Sequence, residues 1–171
     1  GGFDMATKRK SATRKQEPQA KVLKYALPDA AEIHGKALVR LAQSGIMFSA
    51  IQIIEDGGDN NLHSHAAMDG LWFVLSGQAR FHGTKENVMI AELGPHQAIF
   101  IPRDFPYWFE KIGDERLELL QVEAIDRTVK NTRTDYTEQK QSAADVQMFD
   151  IDGTSLTKGM FSPGLDEDAG A

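Results

Sequence analysis

Two histidines stand two residues apart in Asn61-Leu62-His63-Ser64-His65, just ahead of the apolar run Leu71 to Leu75. Side chains of an extended segment alternate between faces, so Asn61, His63 and His65 point one way while Leu62 and Ser64 point the other. Two imidazoles on one face can converge on a single ion or ligand, and imidazole also moves protons near neutral pH. The rest of the chain reads as scaffold for that pair.

Other side chains could join the histidines. Asp69 suits a turn or cap as well as ligation. Tyr107 could line a barrel or act chemically, but an ordinary phenol has a pKa of about 10 and needs the help of a metal to ligate at neutral pH. Asn61 shares the histidines' face and also suits the adjoining turn. Gln52 follows Ala50 at period two and points to the same side. Trp72 and Trp108 have the character of core or interface residues, and facing a cavity they would suit a planar or sugar ligand. His34, His96, Arg80 and Arg103 read as surface groups.

The elements that must position these groups are short strands. Ala37 to Leu41 and Ile46 to Glu55 are rich in Val, Ile, Leu and Phe and are broken at Gln43-Ser44-Gly45, a hairpin pattern, and Asp56 to Asn60 is a strong turn. After Leu71 to Leu75 come a turn at Ser76-Gly77 and a strand in which Ala79 and Phe81 alternate with Gln78, Arg80 and His82. A looser stretch carries Val88 to Ile90, Ala98 to Ile101 forms a further strand, and Leu117 to Ile125 closes the core. Strands with Gly and Pro turns and almost no helical periodicity predict an all-β sandwich or barrel.

The flanks differ in character. Gly1 to Asp4 read as a remnant ahead of Met5, and Thr7 to Gln19 is a basic segment with no apolar periodicity, so residues 1–20 are expected to be a flexible tail. An arm with a turn or short helix at Asp29 to Glu32 leads into the barrel, which is expected over 21–126. Residues 127–171 are polar and are expected to form an extension, partly helical or disordered.

Composition narrows the function. With no cysteine among 171 residues, disulfides, thiolate metal sites and cysteine nucleophiles are excluded, so a metal must rest on His, carboxylate, Tyr or water. A net charge of −6 argues against a nucleic-acid partner. No apolar run approaches the roughly 20 residues that cross a bilayer, and no leader of the signal-peptide type is present, so a cytoplasmic protein without a membrane partner is expected.

From Ala37 to Ile125 the chain resembles the cupin superfamily. The first cupin motif is carried by Gly57 or Gly58, His63-Ser64-His65 and Val74-Leu75-Ser76-Gly77; the second by Gly94, Ile99-Phe100-Ile101, Pro102, Phe105, Pro106 and Tyr107. The resemblance implies a jelly-roll β-barrel and a divalent metal, Fe, Mn, Ni or Zn. The glutamate of the first motif falls on Gly70, with Asp69 beside it, and the histidine of the second falls on Tyr107. The implied ligands are therefore His63 and His65, with Asp69 or Tyr107 in place of the missing ones.

Three functions follow. The first is a metal-dependent enzyme of oxygenase, isomerase or lyase type acting on a small molecule. The second is a metal-free sugar isomerase or epimerase using His63 or His65 as base and Tyr107 as acid. The third is a non-catalytic metabolite-binding module. Because Leu71 to Leu75 is apolar on both faces, a homodimer is also expected; a mass of 18.9 kDa by light scattering would overturn it.

Overall fold

Alternating apolar residues and Gly, Pro and Asp turns generate eleven strands and no helix among the described residues. They are β1 Lys36–Gln43, β2 Met47–Ile54, β3 His63–His65, β4 Met68–Ser76, β5 Gln78–Gly83, β6 Val88–Leu93, β7 Ala98–Ile101, β8 Tyr107–Ile112, β9 Leu117–Ile125, β10 Arg133–Asp135 and β11 Gln147–Phe149. The structure, a computed structural model, describes residues 18–26, 28, 33–56, 60–140 and 146–156. Residues 1–17 of the expected basic tail and the short helix expected at Asp29 to Glu32 lie outside these residues.

The strands form two facing sheets, β11-β1-β2-β9-β4-β7 and β10-β3-β8-β5-β6. Every pairing is antiparallel except β1 with β11. Period-two alternation turns Trp72, Val74, Phe81, Phe109, Leu117 and Leu119 into the core between the sheets, all buried. The hairpin between β4 and β5 needs Gly77, where φ is +72° and a Cβ would collide with the Arg116 carbonyl. At the other end of the sandwich the inner faces change character, and polar residues replace the aromatics.

The outer face of the larger sheet is partly covered. Ile33, Ala37, Val39, Ile51, Ile53 and Phe149 bury one another there, with Tyr25 packed against them. Towards β4 and β7 the same face leaves Leu71, Leu75 and Phe100 exposed.

The polar extension behaves differently from expectation. β10 pairs with β3, placing Arg133 opposite His65 and Asp135 opposite His63, and β11 pairs with β1. The sandwich therefore continues past residue 126. Its polar sequence hid these strands because β10 lies at the sheet edge with every residue exposed, where no apolar alternation is required. No helix of the described residues is long and apolar enough to cross a membrane.

Candidate functional site

The polar end of the sandwich encloses a cavity of about 220 Å³. The smaller sheet contributes His63 and His65 from β3 and Tyr107 from β8, with His63 directly opposite Tyr107 in the β3–β8 register. The larger sheet contributes Lys36 and Leu38 from β1, Gln52 from β2, Met68 and Trp72 from β4, and Gln121 and Glu123 from β9. Asn60, Asn131 and the exposed Arg133 complete the lining on the solvent side.

His63 is 3% exposed and its Nδ1 lies 2.7 Å from the Asn61 carbonyl. A carbonyl only accepts, so Nδ1 carries the proton and the neutral ring presents the Nε2 lone pair. Burial, reinforced by the positive Arg133, pushes His63 down to about 3 and His65 down to about 4. Both rings are therefore neutral bases at physiological pH. Their centres are 5.1 Å apart, with the planes nearly perpendicular.

The Tyr107 ring lies 4.9 Å from that of His63 and is buried. Burial, with the nearby Glu123 carboxyl adding to it, drives its pKa well above the usual phenol value, so the hydroxyl keeps its proton. Gln52 also reaches the cavity, where its Nε2 donates to Gln121 Oε1 at 2.8 Å. Gln121 Nε2 in turn donates to Glu123 Oε1 at 2.6 Å. This relay ends on a carboxyl that is 4% exposed, and burial raises its pKa.

Several polar atoms around the cavity are buried without a hydrogen-bond partner: Gln52 Oε1, His65 Nδ1, Trp72 Nε1 and Glu123 Oε2. Interiors seldom tolerate such atoms, and a cluster of them facing one space marks a binding site for a hydrogen-bonding ligand.

Three expected site residues lie elsewhere. Asp69 points outward: its Oδ1 accepts the Arg103 amide at 2.8 Å and its Oδ2 accepts Arg103 Nη2 at 3.2 Å. These bonds hold its carboxyl below the usual range. Strand pleating explains this, since Met68 and Gly70 take the inner face and Asp69 between them must take the outer one.

Trp108 is also outside, stacked on His82 with ring centres 4.2 Å apart, with Lys140 over its face. Asn61 is buried but braces the site from behind. Its side-chain amide donates to Asp135 Oδ1 at 2.7 Å while its Oδ1 accepts Arg133 Nη2 at 2.6 Å.

The sequence reasoning missed Glu123, Gln121, Lys36 and Arg133. The signal for the first two was present, because Leu117, Leu119, Gln121, Glu123 and Ile125 share one parity in β9. Polar residues interrupting the apolar face of a central strand mark a lined cavity.

A model of the cupin family matches residues 19–152, which includes both sheets, the histidine pair and the strands of the extension. The chain belongs to the cupin family. No curated protein sequence matches this cupin.

Among solved structures, it is similar to a conserved protein with a double-stranded β-helix domain from Klebsiella pneumoniae, with 13% identity, a TM-score of 0.56, and coverage of 72% of this chain and 98% of that one. The cupin domain of Cnp3 from Schizosaccharomyces pombe shares 16% identity at a TM-score of 0.53, over 63% of this chain and 77% of that one. TT1209 from Thermus thermophilus shares 22% identity at a TM-score of 0.49, over 59% of this chain and 90% of that one. The likeness to the first two, at these identities, establishes the fold alone.

The fold implies a metal, and the residues fit it in part. The ring centres of His63 and His65 lie 5.1 Å apart on one strand face, and imidazole nitrogen is a donor that such a metal ion would take. Among the described residues no three His, Cys, Asp or Glu side chains stand together as a finished cage. Asp69 is turned away and Tyr107 is held in its protonated form, so neither completes the set.

Proposed function

We propose that this cupin is a small-molecule enzyme whose reaction centre is the His63–His65 pair, holding a divalent transition metal beside a small, polar, negatively charged substrate. The observation that carries this reading is the hydrogen bond from His63 Nδ1 to the Asn61 carbonyl, which presents a lone pair at Nε2 on a ring kept neutral by burial. Histidine ligands commonly have their second nitrogen tied in this way.

The substrate class follows from charge. Lys36 and Arg133 are cationic and the histidines are neutral, so two cations face the single carboxyl of the lining, Glu123, and the cavity favours an anion. The Gln52–Gln121 relay offers amide groups that orient a hydroxyl or carbonyl, while Leu38, Met68 and Trp72 exclude water. A bound Fe, Mn, Ni or Zn ion would supply Lewis-acid polarisation of such an oxygen.

One observation favours a second reading, acid–base catalysis without metal. Tyr107 keeps its proton beside the neutral His63, the protonation states required of an acid and a base.

Elemental analysis of protein purified without an affinity metal column separates the two readings. Roughly one transition-metal ion per chain is expected, lost in His63→Ala/His65→Ala. Less than about a tenth of an ion per chain, unchanged after adding back Fe, Mn, Ni and Zn, would retire the metal reading. The acid–base and pure binding readings would then remain.

A further inference from the structure

Glu123 is a buried carboxyl to which the histidine pair alone gives no task. Its Oε1 accepts from Gln121, while its Oε2 is buried without a partner. Directly opposite, in the β4–β9 register, stands Gly70, the inward position of β4 that carries no side chain. A Cβ built there would sit in ordinary contact with Trp72 Nε1 at 3.4 Å, so a side chain at this position meets no clash. Beside these two residues is a small hollow whose lining includes His65, Met68, Gly70, Ile101, Tyr107 and Glu123. His65 Nδ1, also buried and partnerless, belongs to the same lining.

We propose that Glu123 is the third protein ligand of the ion held by His63 and His65, an inference that rests on the metal reading above. Carboxylate oxygen beside two imidazole nitrogens is a donor set suited to Fe, Mn, Ni or Zn, and it leaves positions open for a substrate oxygen. No three such groups form a cage as the side chains now lie, so Glu123 must turn toward the histidines. The geometry permits this: one neutral hydrogen bond restrains Oε1, none restrains Oε2, and Gly70, directly opposite, carries no side chain. Gln121, anchored by Gln52, is the positioning residue that aims the carboxyl.

The register supplies the test. Metal-free full-length protein is titrated with Co(II) by calorimetry and visible absorption, comparing wild type, Glu123→Gln and the swap Gly70→Glu/Glu123→Gln, with near-ultraviolet circular dichroism confirming the fold of each. Loss of at least about tenfold in affinity is expected in Glu123→Gln. Recovery of most of it is expected in the swap, because the carboxylate returns from the facing strand.

Unchanged affinity in Glu123→Gln would overturn the proposal and leave the metal reading intact, as would a loss that the folded swap does not recover. Failure of the wild type to bind Co(II) would remove both together. Should either variant fail to fold, infrared difference spectra of the wild type decide: Zn is expected to shift the carboxyl or carboxylate bands, and an unchanged carboxyl and carboxylate region would overturn the proposal.

Discussion

Asp69 and Glu123 sit one register step apart on paired strands, Asp69 facing Ala124 and Glu123 facing Gly70, yet they live in opposite environments. Asp69, on the outer face, is bound by the Arg103 backbone and guanidinium, and Arg103 is bound again by Asp126 at 2.8 Å. Glu123, on the inner face, has one neutral partner and one oxygen with none. The outer face spends its carboxylates on ion pairs that fasten a loop. The inner face keeps a carboxyl, an imidazole, an amide and an indole short of partners, at Glu123, His65, Gln52 and Trp72, which leaves them available to a ligand.

Acid separates the two faces most strongly. In the metal-free protein His63 and His65 are pushed down to about 3 and about 4, whereas in the unfolded chain they titrate near 6.5. Below pH 6.5 the unfolded chain therefore takes up protons that the native chain refuses. The stability that the neutral histidines provide is complete above about pH 6.5 and falls toward pH 4. Each contributes a slope of up to about 1.4 kcal/mol per pH unit.

Glu123 runs the other way. Its raised pKa lets the native chain hold a proton above the ordinary 4.5, adding stability as the pH falls through its native value toward 4.5. Asp69, held low, begins to lose its contribution only below its ordinary 3.8. Denaturant midpoints measured from pH 7 to 4.5 should fall in the wild type, fall less in His63→Gln and fall more steeply in Glu123→Gln. A flat wild-type profile would mean that the imidazoles are not buried as neutral groups.

The same contrast shows what was legible in the sequence. Period-two alternation located the core strands and the turn at Gly77, because burying one face of a strand fixes residue parity. Counting along a motif found His63 and His65, which share a strand, and reached Asp69, which pleating turns outward. Glu123 could not be reached by counting, since it stands 53 positions beyond Gly70 and only the β4–β9 register unites them. Arg133 and Asp135 were hidden for a related reason: an edge strand such as β10 needs hydrogen bonds to its neighbour and no apolar pattern of its own.

The comparison is sharpened by removing one hydrogen-bonding partner on each face. Gln121→Leu keeps the volume of the side chain but leaves both Gln52 Nε2 and Glu123 Oε1 without their hydrogen bonds. Unpaired buried groups cost about 1–3 kcal/mol each, so a loss of about 2 kcal/mol or more is expected in chemical denaturation. Asp69→Ala strips Arg103 of a partly exposed partner while Asp126 and water remain, and about 1 kcal/mol or less is expected.

The order of these two effects is the informative result. A larger loss from Asp69→Ala would make the outer ion pairs the structural keystone. The inner relay would then be already satisfied by bound water, and the orphaned atoms of the cavity would no longer point to a hydrogen-bonding ligand.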